Sequence, residues 1–294
     1  MIAVQHVLVV GAGAMGSQIA LVCALAGLEV ALTDRDPEVL TRAETDLRAR
    51  MARQVAKGRR TPTEVDDAFA RLHLDPDLPS LTDVDLVIEA VVEKLEVKRS
   101  LFAELDRHCP PRTILASNSS SFVPSSMAAA TSRADRFLNL HFFNPALVMR
   151  CVEVVRGPGT SEATVEAASA LVERLGKLPV VLDREIPGFV ANRILNAVRD
   201  EAIALLEGGY ASIEAIDTAC RTALGYPMGP FELMDLTGID IGYLTKQARF
   251  EETGDPADAP SATVRAKIEA GHLGRKTGRG FYTYDEHGNR IGAP

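Results

Sequence analysis

The chain has no tryptophan, and aromatic side chains make up only 5% of its 294 residues. A surface that stacks nucleobases is therefore not expected. Asp and Glu outnumber Lys and Arg by 40 to 32, leaving a net charge of −8, which argues against a face reserved for nucleic-acid phosphates. The four cysteines, Cys23, Cys109, Cys151 and Cys220, lie far apart, with no CxxC pair and no histidine at metal-ligand spacing. They read as scattered buried thiols in a reducing compartment, with no metal expected. No apolar run is long enough to cross a bilayer, and MIAVQHVLVVGAG lacks a basic segment followed by a cleavable apolar stretch, so a cytoplasmic protein is expected.

What is present is an ordinary globular mixture, 46% hydrophobic and 24% charged, at a length that favours two domains. HVLVV (6–10) is continuously apolar, as in a strand buried on both faces. GAGAMG, a helical stretch and EVALTD (29–34) follow, making a βαβ unit whose crossover should be right-handed. Residues 37–80 are charged and helical in period; they read as an inserted helical hairpin carrying KGRR at 57–60 and closed by DPDLPS. Strand-like runs return as VDLVIEAVV, TILASNSSS, FLNLHFF, CVEVVRG and LPVVLD, with helical stretches between them. Beyond Pro187 the strands stop. Helices are expected over 188–207, 212–224 (capped by Ser212), around 230–250 and over 261–271, with GYPMGP (225–230) as a turn and GDPADAP (254–260) as a surface loop. The expected architecture is a Rossmann-like α/β domain over 1–186 with an inserted helical hairpin, then an all-α domain over 187–294.

The pattern G-x-G-x-x-G falls on Gly11, Gly13 and Gly16, with Ala14 and Met15 between the last two. The first glycine permits a tight turn, the second lets a pyrophosphate approach the backbone, and the third lets helix and strand pack closely. The helix N-terminus would then face the phosphates. Asp34 closes the second strand 18 residues after Gly16, where a carboxylate accepts the hydroxyls of an adenosine ribose. Against a 2′-phosphate it would cost about 4 kcal/mol at about 4 Å and an effective dielectric near 20. NAD is the expected cofactor; the neighbouring Arg35 leaves tolerance of NADP open.

The run HFFNPALVMRCVE spans His141 to Glu153. A histidine closes one strand, a glutamate opens the next, and the positions between them allow a turn and a return. Two adjacent strand ends would bring imidazole and carboxylate together, the pairing of a competent general base. GRKTG at 274–278 is no Walker motif, because Arg275 separates glycine from lysine and no strand precedes it.

The stretches GAGAMGSQIA, VIEAVVEKLEVK, ASNSSS, HFFNP with VEVV, IPGFVANRI, GYPMGPFELMDLTGID and GRKTGRGFY resemble the 3-hydroxyacyl-CoA dehydrogenase family, on the branch of its stand-alone bacterial 3-hydroxybutyryl-CoA members. The resemblance spans nearly the whole chain. It implies NAD-dependent oxidation of a short-chain (S)-3-hydroxyacyl-CoA, and the reverse reduction. His141 would be the general base and Glu153 its partner. Ser120 would bond the substrate oxygen near the nicotinamide, and Asn192 would orient the acyl group from the second domain. Glu93 and Lys98 match positions around the nicotinamide ribose, and Asn144 and Lys276 match further cofactor contacts. Lys57 is either an anchor for the phosphates of coenzyme A or part of a solvated basic face. Ser119 stands where the family usually has Thr, which keeps a hydroxyl; Arg150 and Cys151 depart from the usual Lys and Leu and either tune or repack the site. The C-terminal helices are expected to form a homodimer contact. Two other readings stay open: a dehydrogenase of the same fold acting on a free hydroxy acid, of the gulonate type, and a non-catalytic NAD-binding protein.

Overall fold

The computed structural model describes residues 4–76 and 81–292. The chain divides into two compact units, Met1–Val190 and Ala191–Pro294. The first is built on an eight-stranded sheet: β1 (His6–Val10), β2 (Glu29–Thr33), β3 (Leu72–Asp75), β4 (Leu86–Glu89), β5 (Ile114–Ser117), β6 (Phe137–Phe142), β7 (Cys151–Arg156) and β8 (Leu178–Leu182). Their order is β3-β2-β1-β4-β5-β6-β7-β8. Every pairing is parallel except β6 with β7. The chain leaves β1 in one direction along the sheet and resumes at β4 on its other side, which makes the carboxyl ends of these two strands the place where such a sheet binds ligands.

Helices α1 (Gly16–Leu25), α2 (Pro37–Ala56), α3 (Pro62–Ala70), α4 (Leu95–His108), α5 (Pro124–Ala128) and α6 (Glu162–Arg174) complete this unit. Residues Gly16 to Ala24 of α1 are all buried: the helix lies against β1 and β2 and is covered by α2 and α3. That explains its lack of a polar face. The hairpin α2–α3 starts each helix with a capped proline. Asp36 accepts the Glu38 N–H before α2, and Thr61 with Glu64 forms a capping box before α3.

One expectation changes in this hairpin. The hairpin ends at Ala70, and Leu72–Asp75 forms the edge strand β3, paired with β2 through Val30 and Leu72. LHLD is too short for its alternation to separate strand from helix tail. Of the closing DPDLPS, residues 77–80 lie outside the described residues.

The second unit holds α7 (Ala191–Glu207), α8 (Ile213–Ala223), α9 (Pro230–Thr237), α10 (Ile239–Thr253) and α11 (Ala262–Glu269). Ser212 caps α8 by accepting the Ala215 N–H. After α11 a short antiparallel pair, β9 (Thr283–Tyr284) and β10 (Arg290–Gly292), interrupts an otherwise helical unit, an exception to the expectation that strands stop at Pro187. Its packing rests on two buried carboxylates. Asp235 accepts the N–H groups of Phe281 and Tyr282 and the hydroxyl of Tyr284, and Asp217 accepts the N–H groups of Phe231 and Glu232 and the hydroxyl of Tyr282. The motif residues of GPFELMD and GFY thus serve first to knit the unit together.

Candidate active site

β6 lies inside the sheet and all six of its residues are buried. Alternation sends Leu138, Leu140 and Phe142 into the main core, so Asn139 and His141 project to the other face. In β7, Val152 and Val154 join the same core, and Glu153 projects with His141. The antiparallel register sets the two directly opposite one another; a slip of one residue would send Glu153 into the core. The Nδ1 of His141 lies 2.7 Å from Glu153 Oε2. Side-chain exposure is 7% for the imidazole and 1% for the carboxylate. With Nδ1 held by the carboxylate, the tautomer is fixed and Nε2 is the nitrogen left to exchange a proton.

The other carboxylate oxygen is held as well: Glu153 Oε1 accepts the N–H of Val190 at 2.9 Å. Phe189, just before it, is fully buried among Val155, Leu182 and Val123, and its ring centroid lies 5.4 Å from that of His141. Its φ is +49°. A left-handed backbone costs a bulky L-residue about 1–2 kcal/mol, and burying the ring offsets that with about 1.5–3 kcal/mol. Nearby, burial and the Glu153 charge both push the Cys151 thiol up. Cys151 is therefore protonated at neutral pH and is no nucleophile.

The glycine turn is packed as a dinucleotide loop requires. Gly11 has φ +102°, and a Cβ there would lie 2.6 Å from the Ala90 carbonyl oxygen at the end of β4. A Cβ on Gly16 would collide with the Gly11 carbonyl, whereas one on Gly13 would meet nothing within 4 Å. The close contacts thus fall where helix and strands meet, and open space is left at the middle glycine, where a pyrophosphate would approach. No side chain caps α1 beyond Ala14 and Met15. Asp34 Oδ2 accepts the Ala12 N–H at 2.9 Å, and Oδ1 accepts the Asp36 N–H at 3.1 Å. The residues present fit NAD: a tight turn, an uncapped helix N-terminus, and a carboxylate at the end of β2.

Glu93 and Lys98 also come together, with partners that sequence reasoning passed over. Lys98 is 1% exposed, and its Nζ lies 2.6 Å from Glu89 Oε1 and 3.1 Å from Glu93 Oε2. Ser117 donates to the second oxygen of the buried Glu89 at 2.6 Å, and Ser119 donates to Glu93 Oε1. Partial burial alone would push the Glu93 carboxyl up, but Lys98, Ser119 and the Ser121 N–H outweigh it and hold it below the usual carboxylate range. Lys98 is enclosed by carboxylates, so any influence it has on a ribose runs through Glu93. Asn139 donates to the Ser119 and Phe122 carbonyls from behind, leaving Ser120 exposed at the tip of its loop.

Gln18, an amide inside GSQIALV, carries no local sequence signature. It is 3% exposed, donates to the Ala14 carbonyl at 2.7 Å, and accepts the Leu147 N–H at 3.4 Å. It thereby links the glycine turn to the loop carrying Asn144. Lys177 braces that loop, donating to the Ala146 and Met149 carbonyls at 2.6 and 2.7 Å. Asn144 itself is exposed. Lys57 is exposed just past α2. A groove between α2 and α3, lined by Ala52, Val55, Pro62, Val65 and Phe69, includes none of the residues of the His–Glu pair or the glycine turn.

In the second unit Asn192 stands in the first turn of α7 and is half-buried. Of the residues of α7, Ala202 and Ile203 are the buried ones. Lys276 pairs with Asp240 at 2.6 Å. Among the described residues, no group of three or more His, Cys, Asp or Glu could hold a metal ion, and no helix is long and apolar enough to cross a membrane.

Two family models match successive parts of the chain. The NAD binding domain of 3-hydroxyacyl-CoA dehydrogenase covers residues 6–186, and the C-terminal domain of the same family covers 188–284. The chain is 41% identical to a probable 3-hydroxybutyryl-CoA dehydrogenase of Bacillus subtilis, covering 96% of this chain and 98% of the relative. It is 44% identical to a 3-hydroxybutyryl-CoA dehydrogenase of Mycobacterium tuberculosis, covering 96% and 99%. The crystal structure of an (S)-3-hydroxybutyryl-CoA dehydrogenase from Ralstonia eutropha superposes with a TM-score of 0.89 at 38% identity, covering 97% of this chain and all of that one. By fold, by site and by these likenesses, the chain belongs to the 3-hydroxyacyl-CoA dehydrogenase family.

Proposed function

We propose that this chain catalyses the NAD-dependent oxidation of short-chain (S)-3-hydroxyacyl-CoA to 3-ketoacyl-CoA and the reverse reduction, with His141 as the proton-transfer group. The observation that carries the reading is the buried His141–Glu153 pair, set opposite one another in adjacent strands. In oxidation, His141 Nε2 takes the proton of the 3-hydroxyl, and the carbonyl forms as the C3 hydrogen leaves with its electron pair. NAD, when bound, supplies the hydride acceptor. Glu153 keeps the proton on Nδ1 and stabilises the imidazolium that forms. In reduction the same imidazolium returns its proton to the forming alkoxide.

Ser120 would donate to the substrate oxygen, and Asn192 would orient the acyl group. The turn at Gly11, Gly13, Ala14, Met15 and Gly16 would hold the pyrophosphate and Asp34 the adenosine ribose. Glu93, backed by Lys98, would meet the nicotinamide ribose, with Asn144 and Lys276 as further contacts. Lys57 would meet the phosphates of coenzyme A. We take 1–186 as the cofactor domain and 187–294 as the domain for substrate and dimer contacts. The apolar side chains of Ile194, Ile241 and Leu244, each more than half exposed on the second unit, support a homodimer. The four free cysteines support a reducing, cytoplasmic setting.

The test is nicotinamide oxidation by the purified chain with acetoacetyl-CoA, comparing NADH with NADPH and using free acetoacetate as control. Turnover that requires the thioester and prefers NADH is expected. His141→Ala should lose about 10²- to 10⁴-fold in kcat while still binding NADH. Turnover of free acetoacetate at the same rate would favour a hydroxy-acid dehydrogenase. An unchanged kcat in His141→Ala would remove His141 as the base.

A further inference from the structure

We infer that Phe189 is a positioning residue for the His141–Glu153 pair; this rests on the reading of that pair as the general base. Among the described residues, Phe189 is the one non-glycine residue with positive φ. A left-handed bulky side chain is a conformational outlier, and such outliers persist only where the surroundings over-determine them. Here the over-determination is visible on both sides. Before it, Pro187 and Gly188 (φ +78°) stand at the two central positions of a turn closed by the Phe189 N–H on the Ile186 carbonyl at 3.0 Å, as a type II turn prefers. After it, the Val190 N–H meets Glu153 Oε1 at 2.9 Å.

Glycine would adopt this backbone without strain, so the conformation alone does not call for Phe. The ring is what glycine would lack. Buried against Val155, Leu182 and Val123, it pins the segment in the left-handed state and so aims the next N–H at the carboxylate. Glu153 is then held through both oxygens, by Val190 on one and His141 on the other. Without the pin, the carboxylate gains freedom to turn, and the imidazole loses the partner that keeps its proton on Nδ1. The ring also packs beside the imidazole and keeps that face dry. Phe189 need not touch substrate or cofactor to act in this way.

The experiment compares Phe189→Gly, which relieves the backbone but removes the ring, with Phe189→Leu, which keeps an apolar pin. Two readouts are taken on the full chain. One is kcat and KM for acetoacetyl-CoA and NADH; the other is the downfield proton resonance of the His141 Nδ1–H, assigned by its loss in His141→Ala. Phe189→Gly should lower kcat by about tenfold to a hundredfold with little change in KM for NADH, and weaken or abolish the resonance. Phe189→Leu should keep the resonance and stay within about threefold of the parent kcat. The inference is overturned if Phe189→Gly retains both kcat and resonance. It is equally overturned if the two variants lose activity alike, in step with loss of folded protein. Failure of the parent chain to turn over acetoacetyl-CoA would instead sink the functional reading. The resonance, which needs no substrate, would still report whether Phe189 holds the pair.

Discussion

The carboxylate of Asp34 accepts the backbone N–H of Ala12 at 2.9 Å, so the end of β2 is tied directly to the glycine turn. The residue expected to read the adenosine ribose therefore also shapes the loop that would hold the pyrophosphate. These two roles separate by substitution. Asp34→Asn keeps an oxygen for the Ala12 N–H but removes the charge that repels a 2′-phosphate, whereas Asp34→Ala removes both. Asp34→Asn should raise relative activity with NADPH by at least about tenfold, as expected when a repulsion of several kcal/mol is relieved. Asp34→Ala should in addition raise KM for NADH by about tenfold or more, since a hydrogen bond to a charged acceptor contributes about 1.5–3 kcal/mol. Steady-state kinetics with both cofactors decide it. An unchanged NADH-to-NADPH ratio in Asp34→Asn would mean that Asp34 does not face the ribose.

Much of this site was legible in the sequence because its signals are local or strictly periodic. The unit from His6 to Asp34 needs only apolar runs and three glycines at fixed spacing. His141 and Glu153 could be paired because each lies on a short strand-like run and a single turn fits between them. Glu89, Ser117, Gln18 and Lys177 were not legible. Each is a polar group inside an apolar or mixed stretch whose partner lies at a distance set by the sheet order: Ser117 and Glu89 meet because β4 and β5 pair, and Lys177 reaches the loop after β6 because β8 lies beyond β7. The left-handed Phe189 was hidden for another reason. Its sequence neighbours announce a turn, but only the buried ring shows why the backbone is held where a glycine would be easier.

The second unit predicts an unusual response to acid. Burial pushes the Asp235 carboxyl up from its ordinary value of 3.8, against the lowering effect of its three donors and Lys267. Between that ordinary value and the raised one, the folded chain holds a proton here that the unfolded chain has lost, so this contribution falls as pH rises. It is fully present below the unfolded value and lost as pH climbs through the folded one. Asp235→Asn removes the titration and offers one acceptor oxygen where the carboxylate serves the Phe281 and Tyr282 N–H groups and the Tyr284 hydroxyl. We expect it to destabilise the unit by about 1–3 kcal/mol, and by more near pH 3.5 than near pH 7. Urea unfolding at several pH values checks this, followed by tyrosine emission because the chain has no tryptophan. A difference between parent and variant that grows toward neutral pH would contradict the raised carboxyl.

Lys57 tests the thioester end of the substrate. It is exposed just past α2, with Arg59 and Arg60 two and three residues further on, so the tip of the hairpin concentrates positive charge on a chain whose net charge is negative. A solvated basic face would tolerate charge reversal, whereas an anchor for the phosphates of coenzyme A would not. Lys57→Glu should raise KM for acetoacetyl-CoA by about threefold to tenfold at low salt, the scale of an exposed charge pair, and the effect should shrink as salt screens it. The kcat and the KM for NADH should stay near the parent values. The deciding comparison uses acetoacetyl-pantetheine, which carries the same reacting group without the phosphates. If Lys57→Glu weakens both thioesters equally, the loss comes from a disturbed hairpin; if it weakens neither, the basic tip has no part in binding. A selective loss with the phosphorylated thioester would place the coenzyme's anionic end at the turn between α2 and α3.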